Sequence, residues 1–246
     1  MNILVCIDDT DNLESRGTGE LASLLSGALE EFGWGKSSFI TRHQLLVHPD
    51  IPYTSHNSSM CFTARLERSC PPARFIDYAA EFLQRESATG SDPGLCVVLP
   101  DLLPDPDALI DYGREAKQRV LDKKSAYGLA QELGVHLSEH GGSGQGVVGA
   151  LAGVGLRLGG NDGRLKGQLA FGMPGETRSI GLLLEHPLVD AVRGLDGTQP
   201  TVSEQVELGE KIKTVLLEGQ SVLLLERSET EEIPWRTCSR RRLKDY

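Results

Sequence analysis

Ile3-Leu4-Val5-Cys6-Ile7-Asp8-Asp9-Thr10-Asp11-Asn12, near the start of the chain, joins five apolar residues to three carboxylates. A short apolar run bounded by turn residues predicts a buried strand over 2–7. Three acids and a hydroxyl within four residues repel one another unless something positive sits between them. A strand that ends this way, with a glycine and a helix close behind, predicts a hard-cation site at the carboxyl end of a sheet. Asp8, Asp9 and Asp11 are the candidate metal ligands and catalytic carboxylates. In an extended backbone Asp9 and Asp11 share a face and Asp8 takes the other, so a turn after Asp9 is needed to bring all three together. Mg²⁺ takes one or two protein carboxylates, keeps several waters and shares the substrate's phosphates, which makes a nucleotide the expected ligand. Thr10 adds a hydroxyl. Arg16-Gly17-Thr18-Gly19 leads into a helix whose N-terminus offers free N–H groups to an anion. Arg16, Gly17 and Thr18 are therefore candidates on the phosphate side. The plainer alternative is that Asp, Asn and Thr act as turn and capping residues, but a D-D-x-D run directly after a buried strand fits that reading poorly.

Outward from this stretch, Gly19 to Phe32 has helical periodicity, with Leu21, Leu24, Leu25, Leu29 and Phe32 on one stripe. Strands are predicted at 37–41, 60–66, 94–99 and 135–137, and helices at 73–85, 107–123, 124–133 and 147–158. Pro49 and Pro52 force extended geometry around Ile51. After Leu158 the pattern changes. Gly159-Gly160-Asn161-Asp162-Gly163 is a turn cluster and a boundary. Beyond it, 180–185, 202–208, 211–217 and 221–226 read as short strands, with Gly209-Glu210 and Gly219-Gln220 as hairpin turns. The expected fold class is α/β, with α+β as the alternative: a mixed sheet with flanking helices plus a small C-terminal β-rich region. The expected divisions are 1–160, 161–235 and a basic, solvated or mobile tail at 236–246.

The 246 residues are 39% hydrophobic and 24% charged, a globular composition. A net charge of −10 argues against broad, sequence-independent nucleic-acid binding. No apolar run approaches the roughly 20 residues of a membrane helix, and the N-terminus does not read as a signal peptide. The five cysteines are widely spaced without C-x-x-C, so neither a zinc ribbon nor a disulfide framework is expected. The expected setting is a reduced cytoplasm. Oligomeric state is open, a homodimer included.

Gly144-Gln145-Gly146-Val147-Val148-Gly149 matches G-x-G-x-x-G between a predicted strand and a predicted helix, with Asp162 downstream. This supports a second reading, an oxidoreductase binding NAD or FAD at Gly144–Gly149. More generally, glycines let backbone N–H groups approach phosphates, so Gly142, Ser143, Gly144, Gly146 and Gly149 are nucleotide-side candidates. Close helix packing is the competing explanation for Gly146 and Gly149. The histidines lack a convincing third zinc ligand, and Gln145 spoils a G-x-S-x-G elbow at Ser143.

Taken together, Asp8-Asp9-Thr10-Asp11 with Arg16-Gly17, then Pro49-Asp50-Ile51-Pro52-Tyr53, then Asp92-Pro93-Gly94, then Gly144 to Ala152, resemble the archaeal tRNA-isoleucine 2-agmatinylcytidine synthetase family in its order, over roughly residues 1–170. The resemblance implies a kinase-like catalytic domain that binds ATP with divalent metal at Asp8, Asp9 and Asp11, and a nucleotide role for Gly144, Gly146 and Gly149. The family joins agmatine to an anticodon cytidine. Departures accompany the match. The family's phosphoryl-accepting threonine aligns with Glu20, with Thr18 nearby but out of register. Its basic stretch after Ile-Pro-aromatic is Thr54-Ser55-His56-Asn57-Ser58 here. Its Gly-Arg-Gly arginine is Gln145, and no counterpart of its zinc ribbon or nucleic-acid-binding domain is expected within these 246 residues. The expectation is thus an ATP- and Mg²⁺-dependent transferase or ligase that moves a phosphoryl or nucleotidyl group to an unidentified nucleoside or small molecule; tRNA is the partner the resemblance implies and the missing cations argue against. A third alternative is a catalytically silent nucleotide-binding or regulatory protein.

Overall fold

Both faces of the opening strand are covered, which is why its sequence is continuously apolar. A computed structural model describes residues 1–51, 57–228 and 232–246. In it the run forms β1 (Asn2–Asp8), whose side chains alternate between two cores. Ile3, Val5 and Ile7 join one core, and Leu4 and Cys6 join the other. β1 lies between β4 (Ser58–Leu66) and β5 (Gly94–Val98). β2 (Gly35–Ser37) and β3 (Thr41–Gln44) pair with the far edge of β4, and β6 (His136–Glu139) pairs with β5. Each of these pairings is antiparallel.

α1 (Thr18–Glu31) and α2 (Pro72–Glu86) cover the Ile3 face, burying Leu21, Leu25, Leu29, Phe75 and Leu83 against Phe62. α3 (Pro106–Glu115), α4 (Lys123–Leu133) and α5 (Gly146–Gly159) cover the Leu4 face. The α3–α5 contact is backbone-close: a Cβ at Gly155 would overlap the carbonyl of Leu109. These elements make up one unit, Met1–Gly159.

Two expectations shift within this unit. The strand predicted at 37–41 is split. Ser37 pairs with Ala64 and Thr41 with Cys61, so four steps on one strand oppose three on the other, a bulge over 38–40. The helix predicted over 107–123 stops at Glu115. Gln118 N–H turns back to the Glu115 carbonyl at 2.8 Å, and Asp122 caps α4 by accepting from Ser125 N–H at 2.8 Å.

The second unit is Gly160–Tyr246. It contains β7 (Arg164–Leu165), β8 (Thr177–Ser179), α6 (Ile180–Leu184), β9 (Ala191–Gly194), β10 (Gln205–Glu207), β11 (Thr214–Leu217), β12 (Gln220–Arg227) and β13 (Trp235–Thr237). Its strand order is β7-β11-β12-β13-β10-β8, with β9 beside β12. The β12–β9 and β10–β13 pairs are parallel, so the sheet is mixed. With six helices and thirteen strands among the described residues, the fold class is α/β.

Corrections here are local. Ile180 to Glu185, expected as a strand, forms α6. Ser179 Oγ caps it by accepting from Leu182 N–H, and Ile180 and Leu183 share its buried side. Gly209-Glu210 is not a hairpin turn, because β10 pairs with β8 and β13. The β11–β12 hairpin is real, but its turn residues are Glu218-Gly219, both at positive φ, one position earlier than expected. Residues expected as a solvated tail include Arg236 and Thr237 of β13, and Cys238 and Leu243 are buried. Among the described residues no helix is long and apolar enough to cross a membrane.

Candidate functional site

β1 delivers Asp8 to the end of the sheet beneath α5. Its residue surface is 8% exposed, and a Cβ at Gly149 would overlap its Oδ2. Gly149 is therefore required for the carboxylate to sit where it does. Burial pushes the Asp8 carboxyl up to about 8, and the charges of Asp9 and Asp11 add to the effect. The chain then turns at Asp9, whose φ of 51° places it in the left-handed region that Asp tolerates better than most residues. Burial also lifts Asp9, to about 6, with Asp92 and Asp11 as the charged contributors.

Asp11 is fixed by α1: its Oδ1 accepts from the Thr18 hydroxyl at 2.8 Å. Thr10 is fully buried, and its hydroxyl donates to Thr18 Oγ1 at 3.1 Å. Thr10 thus fastens the turn to the helix rather than facing the open site. Gly17 precedes α1 and passes near Asp11. Arg16 points elsewhere and pairs with Glu86 at 2.6 Å. Glu20 is exposed on α1, whereas Thr18 is buried against the acidic turn. The helix, rather than sequence alignment, decides which of these two residues reaches the site.

The glycine loop connects β6 to α5 and is anchored by Asp92. One Asp92 oxygen accepts from the backbone N–H groups of Ser143 and Gly144, and the other accepts from the Ser143 hydroxyl at 2.9 Å. The Asp92 carbonyl takes the Gly146 N–H at 3.0 Å. Gly142 and Gly144 have φ of 53° and 74° and leave no room for a side chain: a Cβ at Gly142 would overlap Asp92, and one at Gly144 would overlap Glu139. Lys123 braces the loop from outside, 2.6 Å from Glu139 and 2.7 Å from the Ser143 carbonyl.

Between the acidic turn and this loop lies a cavity of about 490 Å³, within the usual range for small-molecule sites. Of the residues expected from sequence, Asp8, Asp9, Asp11, Thr18, Ser143, Gly146 and Gly149 line it. Thr10, Arg16, Gly17, Gly142 and Gly144 shape or flank it without forming its wall. The wall also includes Asn57, Ser58 and Val148 from the quoted stretches, and Leu45, Ala116, Arg119, Val120, Leu121 and Asp122, which no motif had marked. Asp50 and Ile51 from the proline-flanked motif contribute too. Pro52, Tyr53, Thr54, Ser55 and His56 lie outside the described residues. The lining thus combines the carboxylates of the turn with apolar side chains and with the polar groups of Asn57, Arg119, Asp122 and Gln145.

Among the described residues, no three His, Cys, Asp or Glu side chains converge as a metal cage. The donor set nonetheless fits a hard cation that shares its coordination with phosphates. It is all oxygen, and burial first, with neighbouring negative charge second, makes both Asp8 and Asp9 resist ionising. The dinucleotide reading loses its context. β6 and β5 are antiparallel where that fold needs parallel strands, and Asp162 belongs to the second unit.

Fold and site together define an α/β protein with a carboxylate-lined cleft closed by a glycine loop. Its similarity to the tRNA-isoleucine 2-agmatinylcytidine synthetases, TiaS, is borne out by sequence comparison. The enzyme of Methanosarcina acetivorans is 28% identical over 161 residues, and that of Methanosarcina mazei 31% identical over 170. Each match covers 63% of this chain and 36% of the relative, so the chain spans about a third of the length of the curated relatives it matches. A solved complex of TiaS with isoleucine tRNA and ATP shares the fold over 82% of this chain and 50% of its own, with TM-score 0.55 and 22% identity. No protein-family model matches the chain.

Proposed function

We propose that the protein is an ATP- and Mg²⁺-dependent enzyme that transfers a phosphoryl or nucleotidyl group to a nucleoside or small-molecule acceptor. The observation that carries this reading is the convergence of Asp8, Asp9, Asp11, Thr18, Ser143, Gly146 and Gly149 on one cavity. The similarity to TiaS, one of whose structures holds ATP and tRNA, supports it. In this reading Asp8 and Asp9 would hold Mg²⁺, which when bound neutralises charge on the transferring phosphate, and Asp11 serves as the proton acceptor. The loop and the α1 N-terminus orient the phosphates, and Leu45, Val120, Leu121 and Val148 exclude water around the nucleoside end.

Thr18 is the first acceptor hydroxyl in reach. Its Oγ attacks the terminal phosphorus, the bond to the bridging oxygen breaks, ADP leaves, and the hydroxyl proton passes to Asp11, already its hydrogen-bond partner at 2.8 Å. The phosphoryl group then moves to the external acceptor. A nucleoside within tRNA is the acceptor class that the TiaS similarity favours, and the overall charge of −10 restricts any RNA contact to a local surface.

Incubation with ATP and Mg²⁺ followed by peptide mass analysis tests this. The expected result is a phosphoryl group on the peptide containing Thr18, absent in Thr18→Val and in Asp11→Asn. ATP binding without modification of Thr18, and without turnover on any nucleoside or amine, would favour a silent nucleotide binder instead.

A further inference from the structure

The anion position of the glycine loop is already filled from within. Positive φ at Gly142 and Gly144 brings successive N–H groups to one side, the arrangement that binds phosphate or another anion. Here both the Ser143 and Gly144 N–H groups, with the Ser143 hydroxyl, point at the Asp92 carboxylate. A phosphate and this carboxylate compete for the same three donors. Asp92 also sits beside the acidic turn, since its carbonyl and that of Asp8 crowd the same Gly146 position and Asp8 pairs with Gly94 across β1–β5, so a cation at the turn attracts the Asp92 carboxylate as well.

We propose that Asp92 is an exchangeable internal anion: it occupies the phosphate-binding donors of the loop in the free protein and swings toward the cation at the acidic turn when metal and nucleotide arrive. This rests on the ATP–metal reading above and deepens it. Asp92 acts as a positioning residue that makes phosphate binding conditional on metal, because without the cation the loop donors stay occupied. Lys123, held by Glu139 and the Ser143 carbonyl, keeps the outer side of the loop in place during the exchange.

The test is calorimetric titration of wild type, Asp92→Asn and Asp92→Ala with inorganic triphosphate in EDTA, alongside ATP with Mg²⁺. Thermal melts check that each variant is folded. Removing the competitor is expected to tighten metal-free triphosphate binding at least tenfold in Asp92→Ala, with Asp92→Asn, which keeps the shape but loses the charge, in between. The gain from adding Mg²⁺ shrinks in the same order. Equal or weaker metal-free binding in folded Asp92→Asn and Asp92→Ala overturns the proposal and leaves Asp92 a purely structural anchor. The triphosphate arm decides this even if wild type fails to bind ATP with Mg²⁺, a result that would sink the nucleotide reading alone.

Discussion

Asp8 ionises near 3.8 in an unfolded chain and near 8 in the folded one. Between those values the folded state binds the extra proton, so the stabilising contribution is complete below about pH 4 and is lost as pH rises through 8. Asp8→Asn should therefore raise stability at pH 8.5 in EDTA by about 2–5 kcal/mol, with the gap closing toward pH 4. Chemical denaturation across that range measures it. A variant less stable than wild type at pH 8.5 would show that the carboxylate is not held under strain. Gly149 belongs to the same argument. A Cβ there displaces the Asp8 carboxylate, so Gly149→Ala should cost about 1–3 kcal/mol and weaken ATP–Mg²⁺ binding more than tenfold in calorimetry.

α5 carries two kinds of glycine, and separating them is a test at the scale of elements. Gly149 faces the site, whereas Gly155 faces the Leu109 carbonyl of α3. Gly155→Ala should destabilise by a similar amount, about 1–3 kcal/mol, yet leave ATP affinity within about twofold at a temperature where the protein remains folded. A large affinity loss would mean that the α3–α5 contact sets the site. The elements also show what sequence could reveal. The acidic turn and the glycine loop were legible because each is contiguous and made of residues with narrow physical uses. The Asp92 anchor was not, since it joins positions 51 residues apart. Nor was the wall at 116–122, which exists only because α3 stops at Glu115 and Asp122 starts a new helix. The strand direction around the glycine loop was invisible too, because a buried strand has the same composition whether its neighbour is parallel or antiparallel. Ile180 to Leu184 misled because a short apolar run fits either a helix or a strand, and only the Ser179 cap separates the two.

For the whole molecule, the central claim is that metal and nucleotide bind together at one end of the first unit. Saturating ATP with Mg²⁺ at about 100 times its Kd should stabilise the folded chain by about 2.7 kcal/mol, seen as a rise in melting temperature that ATP in EDTA and NAD do not produce. Calorimetric titration is the most direct test: ATP with Mg²⁺, and ATP with EDTA, against wild type and Asp9→Asn. Asp9 lines the cavity at the turn itself. The account predicts binding by wild type only with Mg²⁺, and at least a tenfold loss in the variant. Equal ATP affinity with and without metal, unchanged in Asp9→Asn, would contradict it.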